Sequence, residues 1–307
     1  SFTTIDSDFF LDLIPGPRNG QGVPDVLRLM RERIECRDAD GTFRVGCMYG
    51  PSGCGKSSLV RAGLLPRLAP TITPIVVEAS AADTESMLIS RLRSLFPQLP
   101  EGTSLTAAVT TLRRGTLIPE GGKVLFIIDQ FEQWLQENGA ARESDLATAL
   151  RQCDGTHVQC FVMVRDDFWV AVNRFMRDLD IRLIDGVNSA MIDLFDVDHA
   201  TKVLALFGRA YGRLPDDPAA TSREQRQFLR DAVQGLAVDG KVMPVRLSLF
   251  AEIMKGKEWR PGVLRRLGGA SGVGVAFLEE TFGASTAPAR YRHHQQAARG
   301  VLRSLLP

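Results

Sequence analysis

Three short stretches carry the side chains best suited to chemistry. In the first, Gly50-Pro51-Ser52-Gly53-Cys54-Gly55-Lys56-Ser57 fits the spacing G-x-x-x-x-G-K-[ST] at every fixed position. Glycines there open backbone conformations closed to other residues, so successive N–H groups turn toward phosphate oxygens. A helix beginning just afterwards adds the positive end of its dipole. Lys56 is placed to reach the β- and γ-phosphates, and the Ser57 hydroxyl to ligate Mg²⁺. Gly50, Pro51, Ser52, Gly53, Cys54, Gly55, Lys56, Ser57 and Ser58 are therefore expected to bind a nucleoside triphosphate.

The second stretch is Asp129-Gln130-Phe131-Glu132, directly after the apolar run Lys123 to Ile128. A carboxylate at the tip of a buried strand, beside the phosphate loop, suits the hydration shell of the same Mg²⁺, and Asp129 takes that role; capping a helix is its alternative. Glu132 is either the acid that orients or deprotonates the attacking water, or a solvated first-turn carboxylate. The third is Arg165, after the apolar run Val158 to Val164. Its guanidinium either contacts the γ-phosphate or forms an ion pair with Asp166, Asp167 or a neighbouring loop. Arg174, Arg177 and Arg182 follow, and spacing does not say which of them serves a neighbouring subunit.

Elements that position these groups are legible around them. Phe43 to Tyr49 reads as the strand entering the phosphate loop, and Ser57 to Leu68 as the helix leaving it. Strands are expected at Pro74–Ala79, Lys123–Ile128 and Val158–Val164, and helices at Val23–Cys36, Asp83–Phe96, Leu105–Arg114 and Ser144–Cys153. Strand–helix alternation with continuously apolar strands means a parallel sheet covered by helices. The Pro/Gly density of Ser1 to Asn19 predicts an irregular loop.

From about Asp196 the strand signal fades. Asp198–Tyr211, Ser222–Leu236 and Val245–Met254 read as helices, and Ser222-Arg223-Glu224-Gln225 is a capping box. The expected division is 1–40 as a loop and helix flanking the nucleotide, 41–195 as the phosphate-loop domain, 196–242 as a helical lid, and 243–307 as a winged-helix-like domain. Pro244 sits where a lid closes over the base, and a proline can lie flat on adenine; helix starts also favour proline for structural reasons alone.

Composition excludes several classes. A hydrophobic fraction of 44% and a charged fraction of 24% are ordinary for a globular chain, and no apolar run approaches a membrane span. Five scattered cysteines without a C-x-x-C pair predict reduced thiols and a cytoplasmic location. The four histidines make no metal-ligand pattern, and Trp134, Trp169 and Trp259, each isolated, are expected to pack in cores. Net charge is +1, yet residues 255–307 hold nine Lys/Arg against three Glu. A start without Met or a leader pattern suggests a piece of a longer protein.

With these residues in hand, a family resemblance becomes specific. The run Gly50 to Pro66, the stretch Leu125-Phe126-Ile127-Ile128-Asp129-Gln130-Phe131-Glu132-Gln133-Trp134, and Val162-Met163-Val164-Arg165-Asp166-Asp167-Phe168 resemble bacterial STAND NTPases, of the AAA+ and apoptotic-ATPase lineage. Met243 to Leu249 is similar to the proline-bearing start of that family's lid. The resemblance implies a three-layer αβα P-loop NTPase fold with a helical lid and a winged-helix-like domain. It also implies a switch that rests with ADP, exchanges to ATP with Mg²⁺, self-associates, and activates effector and sensor domains of a larger signalling or defence protein. Two departures stand out. Pro15-Gly16-Pro17-Arg18-Asn19-Gly20 replaces a Gly-Arg motif that touches adenine, and Gln133 replaces a second Glu.

Two other classes compete. The basic tail and winged-helix pattern suit a DNA-acting AAA+-like ATPase. A small-molecule kinase shares the phosphate loop, but Asp129-Gln130-Phe131-Glu132 and the long helical extension argue against it. Adenine is favoured because no guanine-binding Asn/Thr-Lys-x-Asp motif occurs.

Overall fold

The computed structural model describes residues 7–138, 144–270 and 272–273. They divide into two compact units, one running to Asp193 and the other beginning at Leu194.

The first unit is built on a five-stranded sheet, all parallel, in the order β2-β3-β4-β1-β5. Its strands are β1 (Val45–Gly50), β2 (Ile72–Glu78), β3 (Lys123–Asp129), β4 (Val158–Arg165) and β5 (Ser189–Met191). Every residue of β3 is buried, as is every residue of β4 except Arg165. Val124, Phe126, Ile128, Val158, Cys160 and Val162 share one core with α4 (Thr84–Leu95), α5 (Leu105–Arg113), α7 (Asp145–Gln152) and α8 (Trp169–Asp178). The alternate residues Leu125, Ile127, Phe161 and Met163 are equally buried. Strands alternate their side chains, so burial at both phases means helices cover both faces. The expected αβα sandwich is present.

Sequence and structure part company in instructive places. The predicted loop of Ser1 to Asn19 contains α1 (Ser7–Leu13), because Phe10, Leu13 and Ile14 find a core. Phe10 and Leu27 of α2 (Asp25–Glu35) close on Gly63, where an added Cβ would lie 3.1 Å from Leu27. The helix after the phosphate loop spans Lys56 to Arg67 but is not uniform. Its first turn, α3 (Lys56–Ser58), widens into a π-helix (Leu59–Leu64) and tightens into a 3₁₀ turn (Leu65–Arg67). Pro66 supplies the reason: it has no N–H for the carbonyl four residues back, and its ring crowds that carbonyl. The Arg67 guanidinium donates instead to Ala62 O (3.0 Å) and Gly63 O (2.9 Å). Its other nitrogen donates to Ser7 O at 2.8 Å, anchoring α1.

Lys123 is fully buried at the start of β3 and donates to the carbonyls of Ile34 (2.5 Å) and Cys36 (2.8 Å), at the end of α2. Burial, with Arg37 nearby, lowers its pKa to about 8. Trp134 is buried with Phe131 and Phe175, and Trp259 with Phe228, which bears out their packing role.

The described residues of the second unit are helical apart from a two-residue ladder, β6 (Phe195–Asp196) with β7 (Lys241–Val242), too short to leave a sequence pattern. It contains α9 (Val197–Ala210), α10 (Arg223–Leu236), α11 (Pro244–Met254) and α12 (Pro261–Arg266). These helices pack on one another, with Phe207, Phe228, Phe250 and Leu264 buried and the Phe228 and Phe250 rings 6.3 Å apart. The capping box at Ser222 and Gln225 is formed in both directions. Most of the expected winged-helix-like region lies outside the described residues.

Candidate functional site

The phosphate loop runs from the end of β1 to the start of α3. Gly50 is required by proximity, since a Cβ there would lie 1.9 Å from Ile192 O. Gly55 is required by conformation, with φ 100° at the helix N-cap. Lys56 Nζ donates to Gly50 O (2.7 Å) and Pro51 O (3.0 Å), so its ammonium lies across the loop's own backbone. The Cys54 thiol, 3.7 Å from that ammonium, is buried. Burial pushes its pKa up while Lys56 pulls the other way.

Asp129 ends β3 and is 4% exposed. Its carboxylate accepts the N–H of Gln130 at 2.9 Å and no amide of the first turn of α6 (Glu132–Asn138) among the described residues, unlike a helix cap. One correction concerns placement: β4 lies between β3 and β1, so Asp129 is two strands from the phosphate loop. At ~4.8 Å per strand, that separation is about 10 Å, a span suited to contact through metal-bound water. Glu132 is 5% exposed, which removes the reading of a solvated acid. Its Oε2 accepts the N–H of Arg165 at 3.3 Å, joining the tips of β3 and β4.

The Arg165 side chain is 47% exposed and engages Asp167 through both carboxylate oxygens, one at 3.1 Å from Nε. It also lies over the Phe168 ring at 5.8 Å. Of the two readings of this arginine, the ion pair is the one formed in this conformation. Arg174, Arg177 and Arg182 are exposed. Gln133 is exposed too, pointing away from the buried Glu132. Arg18 donates to the carbonyls of Leu11, Ile14 and Gly22, so in this conformation it braces its own loop. Pro244 opens α11 in the helical unit, whereas the other proposed positions all belong to the sheet unit.

Sequence reasoning passed over Gln130 and Glu78. Gln130 adopts a left-handed conformation, φ 53°, and its side-chain amide donates to Glu78 Oε1 at 2.7 Å. Glu78 ends β2 in register with Asp129. A polar residue closing an apolar strand was the available signal.

The donor set suits Mg²⁺: a serine hydroxyl and a carboxylate are hard oxygen donors, and this ion keeps most of its waters. No cluster of three or more His, Cys, Asp or Glu fit to hold a metal occurs among the described residues, so no all-protein cage competes. All five cysteines are free thiols. No helix among the described residues is long and apolar enough to cross a membrane.

Comparison with known proteins adds the following. A model of the family described as "Novel STAND NTPase 1" matches residues 23–196. Packaging protein 1 of human adenovirus B serotype 7 is 31% identical over 118 residues, which cover 37% of this chain and 25% of that protein. The chain thus spans about a quarter of the length of this curated relative. Among solved structures, a Walker-type ATPase of Pyrococcus abyssi is 18% identical with a TM-score of 0.55, covering 88% of this chain and 79% of its own. The ORC2 protein of Aeropyrum pernix, in ADPNP–ADP complexes, is 15% identical with a TM-score of 0.54, covering 84% and 66%. Domain III of the Thermotoga maritima replication initiation protein DnaA is 12% identical with a TM-score of 0.50, covering 91% and 98%. At these identities the likeness is one of fold.

Proposed function

The chain belongs to the novel STAND NTPase 1 family and is a P-loop ATPase, and on that premise we propose that it works as a regulatory switch. It binds ATP, hydrolyses it slowly, and thereby controls self-association and activation of a larger signalling or defence protein. In this reading the phosphate-loop amides and Lys56 hold the β- and γ-phosphates, while Ser57 and the waters held by Asp129 complete the Mg²⁺ shell. Glu132 aligns the attacking water, Arg165 leaves Asp167 to meet the γ-phosphate, and Pro244 covers the base. Sensor and effector domains, fused or recruited, supply trigger and output. Free thiols at all five cysteines favour the cytoplasm.

One observation carries the switch. The Glu132 carboxylate accepts the backbone N–H of Arg165, so the acid that serves hydrolysis and the strand tip bearing the phosphate-sensing arginine are one hydrogen-bonded unit. In this reading, a shift of the β4 tip that accompanies Arg165 meeting a γ-phosphate is passed to Glu132 through that bond. The test is to identify the co-purifying nucleotide and measure mass in solution with ADP and with ATP. A monomer with ADP and a larger assembly with ATP is expected; equal mass in both states overturns the switch.

A second reading, a DNA-acting ATPase, draws on a different observation. Arg223, Arg226 and Arg230 are exposed on one side of α10, and Arg265 and Arg266 are exposed on α12, which packs against it. Duplex binding that weakens steeply with salt would favour this reading, and no binding at low salt removes it.

A further inference from the structure

We propose that Gln130, held by Glu78, is a positioning residue for the acidic half of the active site, setting the orientation of Asp129 and Glu132. This inference rests on the ATPase reading above and adds to it a pair of residues with no role there. Gln130 makes three hydrogen bonds. Its backbone N–H donates to Asp129 Oδ1 at 2.9 Å, its side-chain amide donates to Glu78 Oε1 at 2.7 Å, and its carbonyl accepts the N–H of Gln133 at 2.9 Å. The third bond opens α6, whose first residue is Glu132.

The backbone shows that this arrangement is imposed. Gln130 has φ 53°, a left-handed conformation that costs free energy for any residue with a Cβ and persists only where surrounding contacts over-determine it. The next residue is fixed as well, since Phe131 N–H donates to Met163 O on β4 at 2.9 Å. Between these anchors the chain turns from strand to helix within three residues, placing Asp129 before the turn and Glu132 after it. Glu78 and Asp129 end neighbouring strands in register, so two like charges stand side by side. Gln130 donates to both, to Asp129 through its backbone N–H and to Glu78 through its side-chain amide, and so ties the two strand ends to the turn between them. Groups that hold a metal ligand from behind in this way set its orientation and basicity.

The chemistry needs this. A carboxylate that contacts Mg²⁺ through water must present its oxygens at a defined angle, and a water-aligning acid must be held near the attacking oxygen. Releasing the side chain of Gln130 leaves the phosphate loop untouched, so ATP affinity without metal is unaffected.

Gln130→Gly tests the proposal, because glycine adopts φ 53° without strain and only the tie to Glu78 is removed. The expected result is a fall in kcat on the order of tenfold and a rise in the Mg²⁺ concentration for half-maximal turnover of about the same size, with metal-free ATP affinity unchanged. Glu78→Ala is expected to reproduce that phenotype, whereas Glu78→Gln keeps an acceptor oxygen and rescues it. The double variant Gln130→Gly with Glu78→Ala is expected to be no worse than either alone, as for two parts of one interaction. Wild-type kcat and Mg²⁺ dependence in Gln130→Gly overturn the proposal while leaving the ATPase reading intact. Wild-type protein that neither binds nor hydrolyses ATP overturns both, so the two failures are distinguishable.

Discussion

Replacing Glu132 by Gln separates chemistry from architecture at the centre of the site. The side chain is 5% exposed, and Gln has nearly its volume, so no cavity opens. The amide oxygen can still accept the Arg165 N–H. That bond is long, at 3.3 Å, and its complete loss would cost only about 1 kcal/mol. The folded state should therefore shift by less than about 1 kcal/mol, and a neutral group in a buried position offsets part of even that. Turnover should respond very differently. Removing a positioned proton acceptor lowers rates by about 10²- to 10⁴-fold, or about 3 to 5 kcal/mol of barrier. Phosphate release at saturating ATP and Mg²⁺, ATP affinity by calorimetry, and thermal denaturation read the three quantities separately. The expected pattern is slow hydrolysis with binding and melting nearly unchanged. Turnover within about threefold of wild type would refute the assigned role of Glu132, as would a lost rate matched by an equal loss of affinity.

Other perturbations follow from the same geometry. Lys56→Ala removes the ammonium from the loop and should abolish nucleotide retention; unchanged ATP affinity by calorimetry would overturn the phosphate-loop assignment. Lys123 is held below its ordinary value, from 10.5 to about 8, so the unfolded chain binds more protons between those pH values and stability rises with pH there. Wild type should gain about 3 kcal/mol over Lys123→Met between pH 8 and 10.5, a difference that also cancels the opposing buried cysteines; a flat difference in denaturant titrations would refute the depressed pKa. Ser222→Ala breaks the capping box of α10 and should cost about 1 kcal/mol, read as a lowered unfolding midpoint; an unchanged midpoint would mean the cap is not stabilising.

Much of the sheet unit was readable because its strands are buried on both faces. Lys123–Asp129 and Val158–Arg165 are apolar at both phases, and glycine spacing marks the loop between β1 and α3. What escaped was set by contacts distant in sequence. The helix α1 forms because Phe10 meets Gly63 and Ser7 O meets Arg67, across more than fifty residues. Burial of Glu132 depends on α6 packing beside α8 and on its bond to the tip of β4, and the separation of Asp129 from the phosphate loop depends on strand order, which local pattern does not encode. The choice of Asp167 as the partner of Arg165 was one of two openly competing readings. Three-residue β5 and two-residue β6 and β7 are shorter than any period that could reveal them.

The grip of Arg67 and Lys123 on the first two helices has a consequence for how the module is assembled. Ser7 O, Ile34 O and Cys36 O are all held by side chains from beyond the phosphate loop, and Phe10 and Leu27 seat on Gly63. Residues 7–36 thus behave as a ligand that the sheet unit carries on its own chain, with the link from Arg37 to Phe43 supplying effective concentration. Their docking site combines the start of β3, at Lys123, with Gly63 and Arg67 near the far end of the helix that begins at Lys56. The phosphate loop and the Gly63 and Arg67 part of this seat therefore lie at opposite ends of one element, whose middle is the widened turn ahead of Pro66.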